Sequence, residues 1–318
     1  MSVIVTTSPG FGKHGRVLRE IERRGGSLSA APMPPNYSGI SVGPIRWSWG
    51  WCRCRPKAFR GGDGLRAVVK HGVGVENIDI PACSAARLPL CNTPGANADA
   101  VAELAVGLMF AMARFIPRGH ASVRLGGWDR QVGTQLGGKT LGIVGMGNIG
   151  KCLAILARGV GMFVVATDTY PDTAFAEANG IAMTDFDDLI GRADYVSMHV
   201  FGGADNAALI DAGTPGRMKP GAALVNLARG EVVDLDAVAE ALEAGTLAAV
   251  AIDAYVTEPP DTGHRVFSHP RAIFTPHSGA DTKEAVENVG LMVIESLDAA
   301  QSICAPPSKV NRPDPSGP

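Results

Sequence analysis

The chain has no long hydrophobic run. No apolar stretch reaches the roughly 18 residues a membrane-spanning helix needs, so an integral membrane protein is not expected. Charge of one sign is missing too. Lys and Arg number 29 against 31 Asp and Glu, a formal net charge of −2, without the basic excess of a nucleic-acid footprint. Cysteine is sparse, with six residues scattered at 52, 54, 83, 91, 152 and 304. Cys52-Arg-Cys54 has no second Cys or His pair at zinc-ligand spacing, so no metal site is expected. The opening Met1-Ser-Val-Ile-Val-Thr-Thr7 lacks a charged n-region and a long apolar core. It reads as a first strand rather than a signal peptide, and the thiols read as reduced in a cytoplasmic protein.

What remains is a globular composition. Hydrophobic residues make up 46% and charged residues 19% of 318, enough for a full core and, by length, about two domains. The strongest local signal is Thr140-Leu-Gly-Ile-Val-Gly-Met-Gly-Asn-Ile-Gly150. An apolar run leads into Gly145-x-Gly147-x-x-Gly150, and Ile149, Leu153 and Leu156 then continue as a helix face. A dinucleotide pyrophosphate needs that order. The first glycine permits the tight turn, the second lets the backbone approach the phosphates, and the third lets the helix pack on the strand with its N-terminus toward the anion. A second strand, Phe163-Val-Val-Ala-Thr167, ends at Asp168, 23 residues after Gly145. That is the spacing of an acid that grips the ribose hydroxyls. The motif lies late in the chain, so another fold element precedes it.

The βα alternation extends on both sides. Val3–Val5 reads as a strand, Lys13–Arg24 as a helix stopped by Gly25-Gly26, and Leu65–Val69 as a further strand. Val101, Leu104, Leu108, Met112 and Phe115 define a long amphipathic helix over 97–116, ended by Pro117. It is a candidate hinge and oligomer face. Beyond Asp168, strands are expected over Ala193–His199, Ala222–Asn226, Ala248–Asp253 and Phe274–His277, with helices over Asp236–Glu243 and Glu284–Asp298. The tail, Ala305–Pro318, is Pro-rich and expected to be partly loose. The span Gly39–Arg60 resists this scheme. It holds Trp47, Trp49, Trp51, Cys52 and Cys54 without a clean period of 2 or 3.6, and reads as a loop or flap. The fold expected is α/β: a Rossmann-type doubly wound parallel sheet inserted into a smaller flavodoxin-like α/β domain. The substrate domain takes 1–94 plus 288–318, and the nucleotide domain 95–287.

Four further islands call for one explanation. They are Lys70–Asp79, Val225-Asn-Leu-Ala-Arg-Gly-Glu-Val-Val-Asp234, Asp253-Ala-Tyr-Val-Thr-Glu-Pro-Pro260 and Phe274-Thr-Pro-His-Ser-Gly-Ala-Asp-Thr282. With the glycine motif they resemble the D-isomer-specific 2-hydroxyacid dehydrogenases, the family of phosphoglycerate, glycerate and D-lactate dehydrogenases. The resemblance covers roughly residues 65 to 300. It implies an NAD-dependent oxidoreductase with an active site between two domains, and a homodimer formed through the nucleotide domain. With the sequence ending at 318, no room is expected for the additional C-terminal regulatory domains of some phosphoglycerate dehydrogenases.

Carried over by motif, Arg229, Glu258 and His277 are the implied catalytic residues. Their chemistry stands without the name. Oxidising a hydroxyl by hydride transfer requires a base for its proton, which suits a histidine. A carboxylate on the other ring nitrogen fixes the tautomer and favours the imidazolium. A guanidinium can hold a substrate carboxylate bidentately and polarise a carbonyl. The resemblance puts His71, Gly72, Val73, Gly74 and Asn97 at the substrate, and Asn97 reads equally well as a helix N-cap. It puts Gly145, Gly147, Asn148, Ile149, Gly150, Asp168, Val200, Leu227, Ala228, Asp253, Ser278 and Gly279 at the cofactor, with Asp253 near the nicotinamide amide. Asp253 also reads as a strand-end cap. Asp168 should repel a 2′-phosphate and favour NAD.

Two departures stand out. Val200-Phe-Gly-Gly203 replaces the proline usual after the histidine at 199, and Gly39–Arg60 lacks the family's usual strand and helix. The rival from another class is a dinucleotide-sensing interaction protein resembling the C-terminal binding protein co-repressors. A formate dehydrogenase relative would pair a Gln with the histidine, where Glu258 stands. An L-specific dehydrogenase would carry its glycine motif near the N-terminus. The substrate stays open among D-3-phosphoglycerate, glycerate or hydroxypyruvate, glyoxylate and D-lactate.

Overall fold

The computed structural model describes residues 3–6, 11, 15–30, 45–49, 67–76, 78–203, 206–300 and 308–311. The chain forms two compact units, Met1–Asn97 with Asp281–Pro318, and Ala98–Ala280.

The first unit opens with β1 (Val3–Thr6), α1 (Gly15–Arg23), β2 (Ser27–Ala30), β3 (Ile45–Trp49), β4 (Val68–Lys70), α2 (Ile80–Ala85) and β5 (Leu90–Cys91). All strand pairs are parallel, in the order β2-β1-β3-β4-β5. That is the flavodoxin-type order 2-1-3-4-5. β3 corrects the reading of Gly39–Arg60. Ile45-Arg-Trp-Ser-Trp49 is a strand between β1 and β4, at the centre of the sheet. Ile and Trp favour strands. Five alternating residues are diluted when a span of 22 is searched for a period. Cys52 and Cys54 lie outside the described residues, as do residues 65 and 66 of the strand expected over Leu65–Val69.

The second unit begins with α3 (Ala98–Ala113) and α4 (Ile116–Arg124). The expected single helix ending at Pro117 is thus two helices meeting at 63°. The break is Phe115, left-handed at φ 52°, and Pro117 sits in the first turn of α4. A first-turn proline is tolerated because its missing N–H would have no helical partner. Then follow β6 (Thr140–Val144), α5 (Asn148–Gly159), β7 (Phe163–Thr167), α6 (Thr173–Ala178), β8 (Ala182–Met183), α7 (Phe186–Arg192) and β9 (Tyr195–Met198). The unit ends with α8 (Thr214–Arg217), β10 (Ala222–Asn226), α9 (Leu235–Ala244), β11 (Leu247–Ile252) and β12 (Ala272–Phe274).

These seven strands are parallel, in the order β12-β11-β10-β9-β6-β7-β8. Every residue of β9 and β10 is buried, as expected for a parallel sheet covered on both faces. Leu141, Ile143 and Val225 pack with α3 and α5 on one side. Val144, Val196 and Leu224 pack with α7 and α9 on the other. β6 lies between β7 and β9, so the strand order reverses there, where ligands bind such sheets beyond the carboxyl ends. β12 stops at Phe274 rather than His277, because Pro276 cannot donate to a ladder and His277 is left-handed at φ 50°.

The chain returns to the first unit through α10 (Lys283–Ala299). Its Val293, Ile294 and Leu297 pack with Val17 and Ile21 of α1 and Val69 of β4. The structural division falls at 97/98 and 280/281 rather than 94/95 and 287/288. A helix packs as one rigid body, and a boundary at 287/288 would cut α10, which 280/281 keeps whole. In the tail, Lys309 bridges Cys91 and the Asn311 side chain bonds Leu90 N and Leu88 O. Residues 301–307 and 312–318 lie outside the described residues. Among the described residues no single helix is long and apolar enough to cross a membrane. Nor, among them, do three or more His, Cys, Asp or Glu gather as metal ligands.

Candidate active site

The turn between β6 and α5 is shaped by what its glycines omit. Gly145 has φ +101°, and a Cβ there would sit 2.6 Å from the His199 carbonyl oxygen. A Cβ on Gly150 would overlap the Gly145 carbonyl, so α5 packs against the turn only because no side chain intervenes. A Cβ on Gly147 would meet nothing within 4 Å. Gly147 is the N-cap of α5, and no side chain caps the amides that begin with Asn148, Ile149 and Gly150. The result is a cradle of backbone donors at a helix N-terminus, open where an anionic group would enter.

Asp168 follows β7 directly. Its Oδ2 accepts from Met146 N at 2.6 Å and its Oδ1 from Tyr170 N at 2.8 Å, which ties the acid to the glycine turn itself. Val200 abuts the turn from β9, its nitrogen 3.1 Å from the Gly145 Cβ position. Before it, His199 Nε2 lies 2.8 Å from Ser197 Oγ, its Nδ1 is buried without a partner, and burial holds the ring down to about 4. These groups fit a dinucleotide.

The ends of β10, β11 and β12 carry the other groups. Asn226, 1% exposed at the end of β10, donates to Arg229 O at 2.9 Å and accepts from Ala228 N at 3.1 Å. This shapes the turn through the buried Leu227 and Ala228. Gly230 lies against the Tyr255–Val256 peptide so closely that a Cβ would overlap it. Beyond β11, Glu258 Oε1 accepts from Tyr255 N at 3.2 Å. The same oxygen lies 2.7 Å from His277 Nδ1. The pair is partly open to solvent, with 24% and 32% of the side chains exposed.

Asp253 explains how His277 is held. It is 2% exposed. Its Oδ1 accepts from Thr275 Oγ1 at 2.6 Å and Ser278 N at 2.9 Å, and its Oδ2 from Gly279 N at 2.9 Å. Three donors clamp the loop on either side of His277. A left-handed non-glycine residue costs on the order of 1 kcal/mol or more, and this clamp offsets it. Asp253, Ser278 and Gly279 therefore satisfy one another in this structure.

The first unit holds the remaining candidates. Gly72 N donates to Thr93 Oγ1 at 3.1 Å, Thr93 N to Gly72 O at 3.1 Å, and Asn92 Nδ2 to Val73 O at 2.9 Å. These bonds fix the loop of Gly72, Val73 and Gly74. The His71 ring meets Phe11 edge-on at 5.7 Å, and burial, with the charge of Lys70, holds it down to about 4. Asn97 Oδ1 is buried and accepts no hydrogen bond, so it does not cap α3. Sequence reasoning missed Asn226, Tyr255 and Thr275. All three lie inside the motif islands, but no residue-type rule singles them out.

A parallel sheet with this cradle at its reversal point, followed by an acid at the end of the next strand, defines a dinucleotide-binding domain. Residues 106–279, more than half of the chain, match the family described as D-isomer specific 2-hydroxyacid dehydrogenase, NAD binding domain. The chain belongs to that family. D-3-phosphoglycerate dehydrogenase 2 (chloroplastic) of Arabidopsis thaliana is 38% identical over 238 residues, 74% of this chain and 38% of the relative. D-3-phosphoglycerate dehydrogenase of Mycobacterium tuberculosis (strain ATCC 25618 / H37Rv) is 39% identical over 249 residues, 78% of this chain and 47% of the relative. The chain thus spans less than half the length of these relatives. Among solved structures, the TT0316 protein from Thermus thermophilus superposes with a TM-score of 0.83 at 29% identity, covering 98% of this chain and 100% of that one.

Proposed function

We propose that the chain interconverts a small D-2-hydroxy acid and its 2-oxo acid by NAD-dependent hydride transfer. One observation carries the reading. His277 Nδ1 lies 2.7 Å from Glu258 Oε1, beyond the carboxyl ends of the sheet whose glycine turn fits the dinucleotide. NAD, when bound, supplies the hydride acceptor and its reduced form the donor.

The chain's own residues do the rest. His277 Nε2 takes the hydroxyl proton in oxidation and returns it in reduction. Glu258 fixes the ring's tautomer through Nδ1 and stabilises the charged ring. Arg229 holds the substrate carboxylate and polarises the carbonyl. In the first unit, the Val73 and Gly74 amides are the candidate donors for a carboxylate, since the Gly72 N–H is already given to Thr93. His71 and Asn97, whose side-chain oxygen is buried without a partner, are that unit's other substrate-binding candidates. Gly145, Gly147, Asn148, Ile149 and Gly150 hold the pyrophosphate, and Asp168 the ribose. Val200, Leu227 and Ala228 supply apolar walls. Asp253, Ser278 and Gly279 border the nicotinamide end.

A homodimer through the nucleotide-binding unit is part of the proposal. Ile116, Val123, Leu125, Trp128 and Val132 are each more than half exposed on or just after α4, which supports an interface there if their apolar surface is shared. Free thiols at Cys83, Cys91 and Cys152 suit a reducing, cytoplasmic setting.

The test is an oxidation screen with NADH and NADPH against glyoxylate, pyruvate, hydroxypyruvate and 3-phosphohydroxypyruvate. Turnover of at least one acid, with NADH preferred, is expected. NADH binding with no turnover of any would point to a dinucleotide sensor.

A further inference from the structure

Tyr255 touches Glu258 directly and the turns that carry Arg229 and His277 through their neighbours Gly230 and Thr275. Its backbone N–H donates to Glu258 Oε1, the oxygen that faces His277. Its peptide link to Val256 lies against Gly230, the neighbour of Arg229. Its hydroxyl reaches Ile252 O at 3.1 Å and Thr275 O at 2.9 Å. The O–H shares its one proton between these two carbonyls, and adds to the backbone bond from Thr275 N to Ile252 O at 3.0 Å that already joins the two strand ends. The Thr275 carbonyl also accepts from His277 N at 3.0 Å, so the bond that closes the His277 turn and the bond from Tyr255 share an oxygen.

The ring is fixed as well. It stacks on Phe267 at 6.1 Å and 29°, and Phe267 packs on Phe274 of β12 at 4.4 Å. Burial, with the charges of Asp253 and Glu258, pushes the phenol up to about 12. The hydroxyl therefore remains a donor across the physiological range.

We propose that the Tyr255 hydroxyl is a latch: by fixing the Thr275 carbonyl that closes the His277 turn, it sets His277 in register with Glu258. This rests on the reading of Arg229, Glu258 and His277 as the catalytic set. Tyr255 is a positioning residue and touches no substrate. Asp253 clamps the loop from the buried side, and Tyr255 fixes it at the carbonyl that begins the His277 turn. Phenylalanine would keep the stacking and lose only the tie.

The experiment is Tyr255→Phe in the full chain, with Tyr255-dependent and His277-dependent effects separated. Histidine-labelled protein is followed by NMR for the His277 Nδ1–H held by Glu258. NADH affinity is titrated by fluorescence, and turnover is measured on the four 2-oxo acids above. The expected result is a lost or broadened His277 Nδ1–H resonance, an NADH Kd within about twofold, and a kcat lower by about tenfold with KM nearly unchanged. Misplacement of a reacting group by an ångström can cost up to about a hundredfold. An unchanged His277 resonance overturns the latch whatever kcat does. A parallel loss of NADH affinity and kcat also overturns it, since that is general loosening. His277→Asn is run beside it. If that variant keeps full turnover the catalytic reading fails, while the NMR result still decides the latch.

Discussion

Two loops at the carboxyl ends of one sheet are built by opposite means. The β6–α5 turn works by omission, with Gly145 and Gly150 leaving out atoms that would strike His199 or the turn itself. The β12–α10 loop works by addition, with Asp253, Thr275 and Tyr255 supplying bonds that hold His277 in a left-handed conformation. The first device admits a ligand by leaving space and bare amides. The second holds one side chain to a fixed place beside Glu258. A binding surface can be generic, whereas a proton-transfer group must be positioned to a fraction of an ångström.

The comparison breaks cleanly if damage to one loop leaves the other's function alone. His277→Asn should lower kcat by about 10²–10⁴-fold while NADH titration stays near wild type. If turnover survives, the second loop is not the seat of chemistry. Gly145→Val should do the reverse and raise the NADH Kd by about two orders of magnitude, since it adds a branched side chain at positive φ into the His199 carbonyl. Isothermal titration would reveal it, and near-normal binding would remove the case for omission. Asp253→Asn swaps an acceptor for a donor facing N–H and O–H groups, a cost of about 1–3 kcal/mol. It should lower kcat about tenfold and Tm measurably, with NADH affinity largely kept. Asp168→Ala should narrow the NADH-over-NADPH preference by about tenfold, seen in steady-state kcat/KM for the two cofactors.

The smallest effect concerns pH, and it touches both units. His71 and His199 are each held near 4 by burial, against an ordinary value near 6.5. The unfolded chain binds those protons first, so stability should fall as pH drops from about 6.5 to about 4 and then level off for these groups. Urea midpoints across that window would show it. His199→Asn should flatten part of the slope, and an identical slope would mean His199 does not contribute.

The sequence disclosed the two loops unequally. The glycine turn was legible because its rule is local: residue types at fixed spacing imply a backbone shape. Arg229, Glu258 and His277 were legible as motif members, yet only folding brings Glu258 and His277 within 2.7 Å across 19 residues. The supports were not legible. Tyr255 and Thr275 act across sequence gaps of about 20 residues through backbone carbonyls and a buried carboxylate, and no spacing rule encodes that. Asp253 read from sequence as a nicotinamide neighbour or a strand-end cap, and neither reading specifies the bonds its oxygens make to Thr275, Ser278 and Gly279. β3 was hidden because five alternating residues sat inside a longer irregular span. Its place between β1 and β4 comes from pairing partners far away in the chain.

Hydride transfer to one face of a 2-oxo acid fixes the configuration of the product, which can be read out on the enzyme itself. Glyoxylate gives an achiral product, so the best of the other acceptors in the NADH screen is reduced to completion and the 2-hydroxy acid resolved on a chiral column. The D isomer alone is expected. The L isomer, a racemate, or no hydroxy acid at all would contradict that transfer.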